Sequence, residues 1–182
     1  MTFLYFGYGS NMKSDRICHE KRCPSATKIP PTNGSQHLIK GWKFSFSKYS
    51  NWWDDEGNGK GNVEETKKSE DKVYGVIFEI KDEEKEKLTD IEKGYDQKEE
   101  WIFDEKTNKK VKKAAIYFKK DFKKGLRPLD WYQAYIVEGA EENKLPKSYI
   151  KKLKTVKPKT DGHPEKRNGD EEMLKKYGYN LD

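Results

Sequence analysis

Cysteine, histidine and long apolar runs are all scarce in this chain, and each scarcity removes a class of function. There are 2 cysteines and 3 histidines among 182 residues. Cys18 and Cys23 have no histidine at ligand spacing, so neither a zinc site nor any other metal site is expected. The pair reads as reduced thiols of an intracellular protein. His19 adjoins Cys18, but neighbours on a helix do not face one another. His37 and His163 lie in loop-like stretches, and none of the three has a catalytic setting. No apolar stretch approaches the roughly 20 residues that a membrane span needs. The chain passes directly into a strand, without a secretory leader. The expectation is a cytoplasmic protein with no cofactor, no metal and no membrane partner.

Apolar residues are also few, at 32%, against 38% charged. Aromatics, at 13%, offset this because each buries a large area. A small, aromatic-rich core under charged loops follows. The net charge of +6 raises the question of nucleic acid, but 38 Lys and Arg are interleaved with 32 Asp and Glu. No Arg-rich run or aromatic RNA-reading motif accompanies them. The lysines read as solubilising, and no nucleic-acid partner is expected.

Period and punctuation divide the chain. Phe3 to Phe6 reads as a strand and Met12 to Lys21 as a short helix. Residues 22–36 form a loop with a turn at Asn33-Gly34. From Leu38 to Tyr49, Trp42, Phe44 and Phe46 alternate with Lys43, Ser45 and Ser47, as in one strand. Asn51 to Lys72 is polar and reads as a long loop, with an edge strand at Gly61–Thr66. Val73 to Ile80 is a buried strand. Asp82 to Lys93 is a helix with Asp82 as N-cap and Gly94 as its stop. Trp101–Phe103 and Val111–Phe118 are strands joined at Thr107-Asn108. A basic linker, Lys119–Pro128, leads to a helix from Asp130. A further helix follows Pro146, with Tyr149, Ile150, Leu153 and Val156 on one face. A domain over 1–162 and a polar tail over 163–182, helical at Glu171–Tyr177, complete the division.

Two segments carry chemistry. The first is Tyr5 to Met12, YFGYGSNM, a strand opening into a Gly-Ser-Asn turn with Ser10 or Asn11 as the N-cap of the next helix. Main-chain N–H groups at a helix start suit a carboxylate or an oxyanion. Gly7 and Gly9 allow close approach, and Ser10 and Asn11 add polar side chains. The alternative is a tight turn whose glycines serve conformation only. The second segment is KLTDIEKGY, residues 87–95. Glu92, at a helix C-terminus beside apolar Ile91, feels the negative end of the dipole, and burial would raise its pKa toward neutrality. That suits a proton-transfer group, although glutamates at helix ends are commonly solvated.

Four blocks in order resemble the γ-glutamyl cyclotransferases. Tyr8, Gly9, Ser10, Asn11 and Met12 match the family's opening signature. Val73, Tyr74, Gly75 and Val76 match its Val-(Trp/Tyr)-Gly-Val strand. Leu88, Asp90, Glu92 and Gly94 answer to the segment holding its catalytic glutamate, with one extra residue before Gly94. Tyr132 to Ile136 and Gly139 to Pro146 resemble its Tyr…Gly-Ala-x-Glu-Asn-Gly-Leu-Pro block, and Tyr149, Lys152, Leu153 and Pro158 continue the match. The resemblance spans residues 2–162. It implies a single α+β domain, with a mixed, twisted, barrel-like β-sheet surrounded by α-helices. It further implies conversion of a γ-glutamyl amino acid to 5-oxoproline and a free amino acid, without cofactor. Glu92 would be the catalytic acid/base. Tyr5, Phe6, Gly7, Tyr8, Gly9, Ser10 and Asn11, with Tyr117 and Tyr132, would bind substrate, although either of the last two tyrosines could equally be core. Arg16 matches a family arginine and would pair with a nearby acid. Tyr95 is offered for a further pocket tyrosine, its register shifted by the extra residue. The partner is a small molecule, and a homodimer is compatible with everything above. The rivals are a γ-glutamylamine cyclotransferase and a non-catalytic binding module on the same fold.

Overall fold

The computed structural model describes residues 1–50 and 57–160. The tail over 163–182, its helix at Glu171–Tyr177, His163 and part of the polar segment lie outside the described residues. The strands in chain order are β1 (Thr2–Gly7), β2 (Thr27–Ile29), β3 (His37–Lys40), β4 (Trp42–Ser50), β5 (Asn58–Glu65), β6 (Lys72–Lys81), β7 (Asp96–Asp104) and β8 (Lys110–Phe118). The helices are α1 (Ser14–Ile17), α2 (Lys85–Ile91), α3 (Asp130–Glu142) and α4 (Lys147–Leu153).

β1 organises the molecule because it has a partner on each edge. It runs antiparallel to β6, from Thr2 opposite Lys81 to Gly7 opposite Val76, and parallel to β8 at Tyr5 and Ala115. The six-stranded sheet continues from β8 through β7 and β3 to β6 and so returns to β1, with β2 added along β6. Closure leaves few free edges, which removes a template for aggregation. This is the mixed, barrel-like α+β sheet that the sequence implied. β4 and β5 form a separate two-stranded ribbon. Inside, Phe6, Trp42, Phe78, Met12, Ile39 and Ile102 are fully buried, so aromatics supply much of the core as the composition requires. No helix among the described residues is long and apolar enough to cross a membrane.

Two glycines set the spacing. A Cβ on Gly75 in β6 would lie 2.5 Å from the Gly7 carbonyl oxygen and 2.6 Å from the Phe6 ring. A Cβ on Gly139 in α3 would lie 2.7 Å from the Lys13 nitrogen and 2.9 Å from Met12 Cβ. Both positions lie in the blocks that carry the family resemblance, and both hold the Tyr8–Met12 turn in place.

Four local expectations are corrected. The strand over Leu38–Tyr49 is two strands, because Gly41 takes φ +78° and turns the chain from the barrel into the ribbon. The Gly41 carbonyl fixes that corner by accepting the Thr66 and Lys67 N–H groups. The helix over Met12–Lys21 is a 3₁₀ turn, Ser10–Met12, followed by the four-residue α1, because Lys13 is extended between them. Tertiary contact overrides local propensity here, as Asn143 Nδ2 donates to the Met12 carbonyl at 2.9 Å. Asp82 is not an N-cap: Lys81 holds that position without a side-chain cap, and the Asp82 N–H is used by the Met1 carbonyl. The polar segment, expected as loop with an edge strand at Gly61–Thr66, holds a longer strand, the eight-residue β5, which begins at Asn58. Asn62 donates to Ser47 Oγ and the Lys119 carbonyl and accepts from the Lys119 N–H. The short β2 was not foreseen; it adds only three pairs to β6.

Candidate active site

Glu92 is placed by the end of α2. Fully buried Leu88 pins the helix, and the Glu92 N–H closes the last turn on the Leu88 carbonyl at 2.9 Å. Gly94, at φ +84°, then redirects the chain toward β7, which is the stop the sequence offered. The Glu92 carboxylate Oε1 accepts the Tyr5 hydroxyl at 2.8 Å and Asn11 Nδ2 at 2.9 Å. Asn11 Nδ2 also reaches the Tyr5 oxygen at 3.1 Å, and Asn11 Oδ1 accepts Arg22 Nη1 at 2.7 Å. A chain of polar contacts thus runs Arg22–Asn11–Glu92–Tyr5 across the end of the barrel. Strand alternation makes it possible: Tyr5 and Gly7 share one face of β1, while Phe6 packs against Gly75 on the other.

Burial pushes the Glu92 carboxyl up from its ordinary pKa. The Tyr5 hydroxyl, the Arg22 charge, Asn11 and the Lys48 charge all act the other way. The residue as a whole is half-buried; its carboxyl end is the densely surrounded part. Burial, followed by the Glu92 charge, likewise raises Tyr5 and Tyr8 well above the normal tyrosine value. Burial also raises Tyr95 and Tyr132. Each of these hydroxyls therefore keeps its proton near neutrality and can donate a hydrogen bond.

The other expected residues take the following places. Tyr8 donates its hydroxyl to the Tyr117 carbonyl and sets its ring edge-on to Phe44. The Ser10 side chain lies near enough to Tyr132 to act against the rise in its pKa. The Tyr132 oxygen accepts the Gly61 N–H at 3.0 Å, and the Tyr95 hydroxyl donates to the Gly61 carbonyl at 2.6 Å. Tyr95 thus joins the cluster and its register is settled. Gly9 has φ −108°, so its backbone does not demand glycine, and a Cβ there would meet only the Tyr132 hydroxyl, at 3.8 Å. Phe6 is core. Tyr117 turns its hydroxyl toward Gln97 at 3.4 Å and its ring edge toward Tyr5.

Two expectations about this turn are corrected. Neither Ser10 nor Asn11 caps a helix; Gly9 is the N-cap, without a side-chain bond, and the 3₁₀ turn that follows has little dipole. Asn11 is instead spent on Glu92. The turn closes with the Met12 and Lys13 N–H groups on the Gly9 and Ser10 carbonyls, which leaves the Ser10 and Asn11 N–H groups without intrahelical partners. Arg16 does not pair with an acid among the described residues. Its guanidinium lies over the Tyr135 ring at 4.8 Å, and its Nε is buried with no hydrogen-bond partner. Arg22, Gly61 and Lys48 were missed. Their roles depend on where loops and the β4–β5 ribbon fold back, and no local pattern signals that.

Two cavities flank this region. One, of about 610 Å³, has Arg16, Arg22 and Ile91 in its wall; Glu92 follows Ile91 in the chain but does not line it. The other, of about 440 Å³, lies beneath α4 between Phe46, Leu126 and Val156, and no member of the Glu92 cluster lines it. No group of three or more metal-ligating side chains occurs among the described residues.

Residues 72–153 match the model of the AIG2-like family. A solved γ-glutamyl cyclotransferase shares 25% sequence identity, covers 97% of this chain and 99% of its own, and superposes with a TM-score of 0.75. An uncharacterized human protein shares 26% identity over 87% of this chain and 89% of its own, with a TM-score of 0.71. A yeast γ-glutamyl cyclotransferase specific to glutathione is 13% identical, with a TM-score of 0.54 over 84% of this chain and 93% of its own, a likeness of fold alone. No curated protein matches the chain by sequence. The stretch matched by the family model runs from β6 to α4 and includes Glu92, and the structural likeness extends over the whole barrel, so the chain has a γ-glutamyl cyclotransferase-like fold.

Proposed function

We propose that the protein is a γ-glutamyl cyclotransferase acting on γ-glutamyl amino acids, with Glu92 as the acid/base. The observation that carries this reading is a single inward carboxylate, raised in pKa by burial and aimed by Tyr5 and Asn11. In the reaction, Glu92 takes a proton from the substrate's α-ammonium. The freed amine attacks the γ-carbonyl carbon, forming the ring C–N bond and placing negative charge on the carbonyl oxygen. Glu92 passes that proton to the leaving nitrogen and takes a second from the ring nitrogen, which the attack left with two hydrogens. The intermediate then collapses, the bond to the leaving nitrogen breaks, and the second proton follows it, so that the amino acid departs in its ammonium form. The products are 5-oxoproline and the free amino acid. Nucleophile and electrophile belong to one molecule, so the protein's main tasks are folding the substrate into attack geometry and relaying protons from the attacking to the leaving nitrogen. The protonated tyrosine hydroxyls and the Ser10 and Asn11 N–H groups are the donors on hand for the developing oxyanion.

Incubation of the pure protein with γ-glutamyl dipeptides, γ-glutamyl-lysine and glutathione, with 5-oxoproline measured, tests the reading. Turnover of the dipeptides is expected to exceed that of the other two. Absence of 5-oxoproline from every substrate contradicts the reaction, and preference for γ-glutamyl-lysine reassigns the leaving group to an amine.

A further inference from the structure

The cavity beside Glu92 is basic out of proportion to its acids. Lys13, Arg16, His19, Lys21 and Arg22 contribute to its wall, and Asp15 is its one acid. Asp15 is already engaged, since its carboxylate lies 3.1 Å from Lys13 Nζ. Lys13 is further matched by Glu138 and Glu142. Among the described residues neither arginine has a carboxylate at ion-pair distance, although the Glu92 charge acts on both. Arg22 spends one nitrogen on the neutral Asn11 amide. Arg16 makes no ion pair among the described residues, lies over Tyr135 and keeps a buried, unpartnered Nε. A guanidinium out of water with no counter-charge in contact is costly. Burial, with Arg22 adding to it, lowers its pKa to about 10, so it stays charged near neutrality. A site that keeps two guanidinium groups together with no carboxylate in contact is suited to an anion between them, and the planar fork of arginine fits a carboxylate in two-point contact.

Resting on the function proposed above, we infer that Arg16 and Arg22 form a subsite for the α-carboxylate of the departing amino acid, and so select γ-glutamyl α-amino acids over γ-glutamyl amines. The chain Arg22–Asn11–Glu92 gives the direction. It leads from the proton-transfer group to the cavity, and the leaving nitrogen, which receives its proton from Glu92, carries its own carboxylate only two bonds away. The Tyr8–Asn11 turn and the tyrosine hydroxyls remain for the γ-glutamyl end. A carboxylate bound to the arginines also strengthens the Arg22 contact to Asn11 indirectly, by fixing the guanidinium.

The test is calorimetric titration of γ-glutamyl-alanine and γ-glutamyl-ethylamide into the full-length Glu92→Gln protein, which is expected to bind both without turnover. The two ligands share the γ-glutamyl end and differ by the carboxylate. The expected result is roughly tenfold to a hundredfold tighter binding of γ-glutamyl-alanine, the range for a charge-assisted contact. That ratio is expected to collapse toward unity when Arg16→Gln is added, and to fall partway with Arg16→Lys, which keeps the charge and loses the fork. Arg22→Gln, on a loop, supplies the same comparison if the Arg16 variants do not fold. Equal binding of the two ligands by the Glu92→Gln protein, or a ratio that survives removal of the arginines, overturns the subsite while leaving the cyclotransferase reading intact. Binding of neither ligand overturns that reading, and the subsite with it.

Discussion

A single carboxylate with its hydroxyl and amide partners carries the proposed chemistry, and the partners set its proton affinity. The Tyr5 hydroxyl donates to Glu92 and so favours the charged form. Its removal in Tyr5→Phe is expected to move the acid limb of the kcat/KM profile to higher pH, since that limb reports protonation of the base in the free enzyme. A limb at unchanged pH would separate Tyr5 from the reaction. The same burial acts on stability with a definite sign. A carboxyl whose pKa is raised by folding stabilises the protein only when protonated, and that contribution is lost as pH rises through the folded-state value. Glu92→Gln is therefore expected to raise Tm above wild type at neutral and alkaline pH. The gain should shrink toward zero below the ordinary carboxylate range of about 4. A gain that stays constant with pH, or a loss, would show that Glu92 is not a strained buried acid. Much of this was legible in LTDIEKG, where a glutamate beside Ile91 precedes a glycine stop. The tyrosine and asparagine partners were legible as candidates from YFGYGSN, but their contacts were not, because they cross from β1 to the end of α2.

At the scale of elements, the site is a turn clamped between a strand and a helix. Gly75 lets β6 approach β1, and Gly139 lets α3 approach Met12 and Lys13, with only 2.5–2.9 Å available for a Cβ. Gly139→Ala is expected to destabilise the protein by about 1–3 kcal/mol, the usual cost of overpacking, and to lower activity by displacing Asn11. Gly9→Ala meets no such obstacle and should fold normally. If the turn binds substrate, its kcat/KM should nonetheless fall, because the added methyl occupies the space before the Tyr132 hydroxyl. Chemical denaturation and initial rates on the two variants separate the cases, and a Gly9→Ala enzyme with wild-type kinetics would leave the turn a structural part only. Strand and helix positions were largely legible, since their period is local. The break at Gly41 and the length of β5 were not. A glycine in an alternating run is compatible with a strand, and Asn62 of β5 is satisfied only by a ribbon and a linker distant in sequence.

For the whole molecule, closure of the sheet brings the first strand, the end of α2 and the first turn of α3 to one rim, so residues nearly 130 positions apart share a site (Tyr5 and Tyr132 both lie within electrostatic reach of Glu92). The order of the blocks implied the fold, but the ring that joins β1 to β6 and β8 is a long-range fact no local pattern contains. An intramolecular aminolysis needs no Lewis acid, and activity is expected to survive exhaustive treatment with a chelator. Activity lost with the chelator and restored by a divalent ion would require a different mechanism. The measurement that bears most directly on the account is the rate of 5-oxoproline formation from γ-glutamyl-alanine by Glu92→Gln beside wild type, both shown to be folded by circular dichroism. The amide keeps the size and hydrogen-bond acceptor of Glu92 and cannot carry the proton. A fall of roughly 10²–10⁴-fold in kcat/KM is predicted. A folded Glu92→Gln protein within a few-fold of wild type would contradict the assignment of Glu92 as the acid/base.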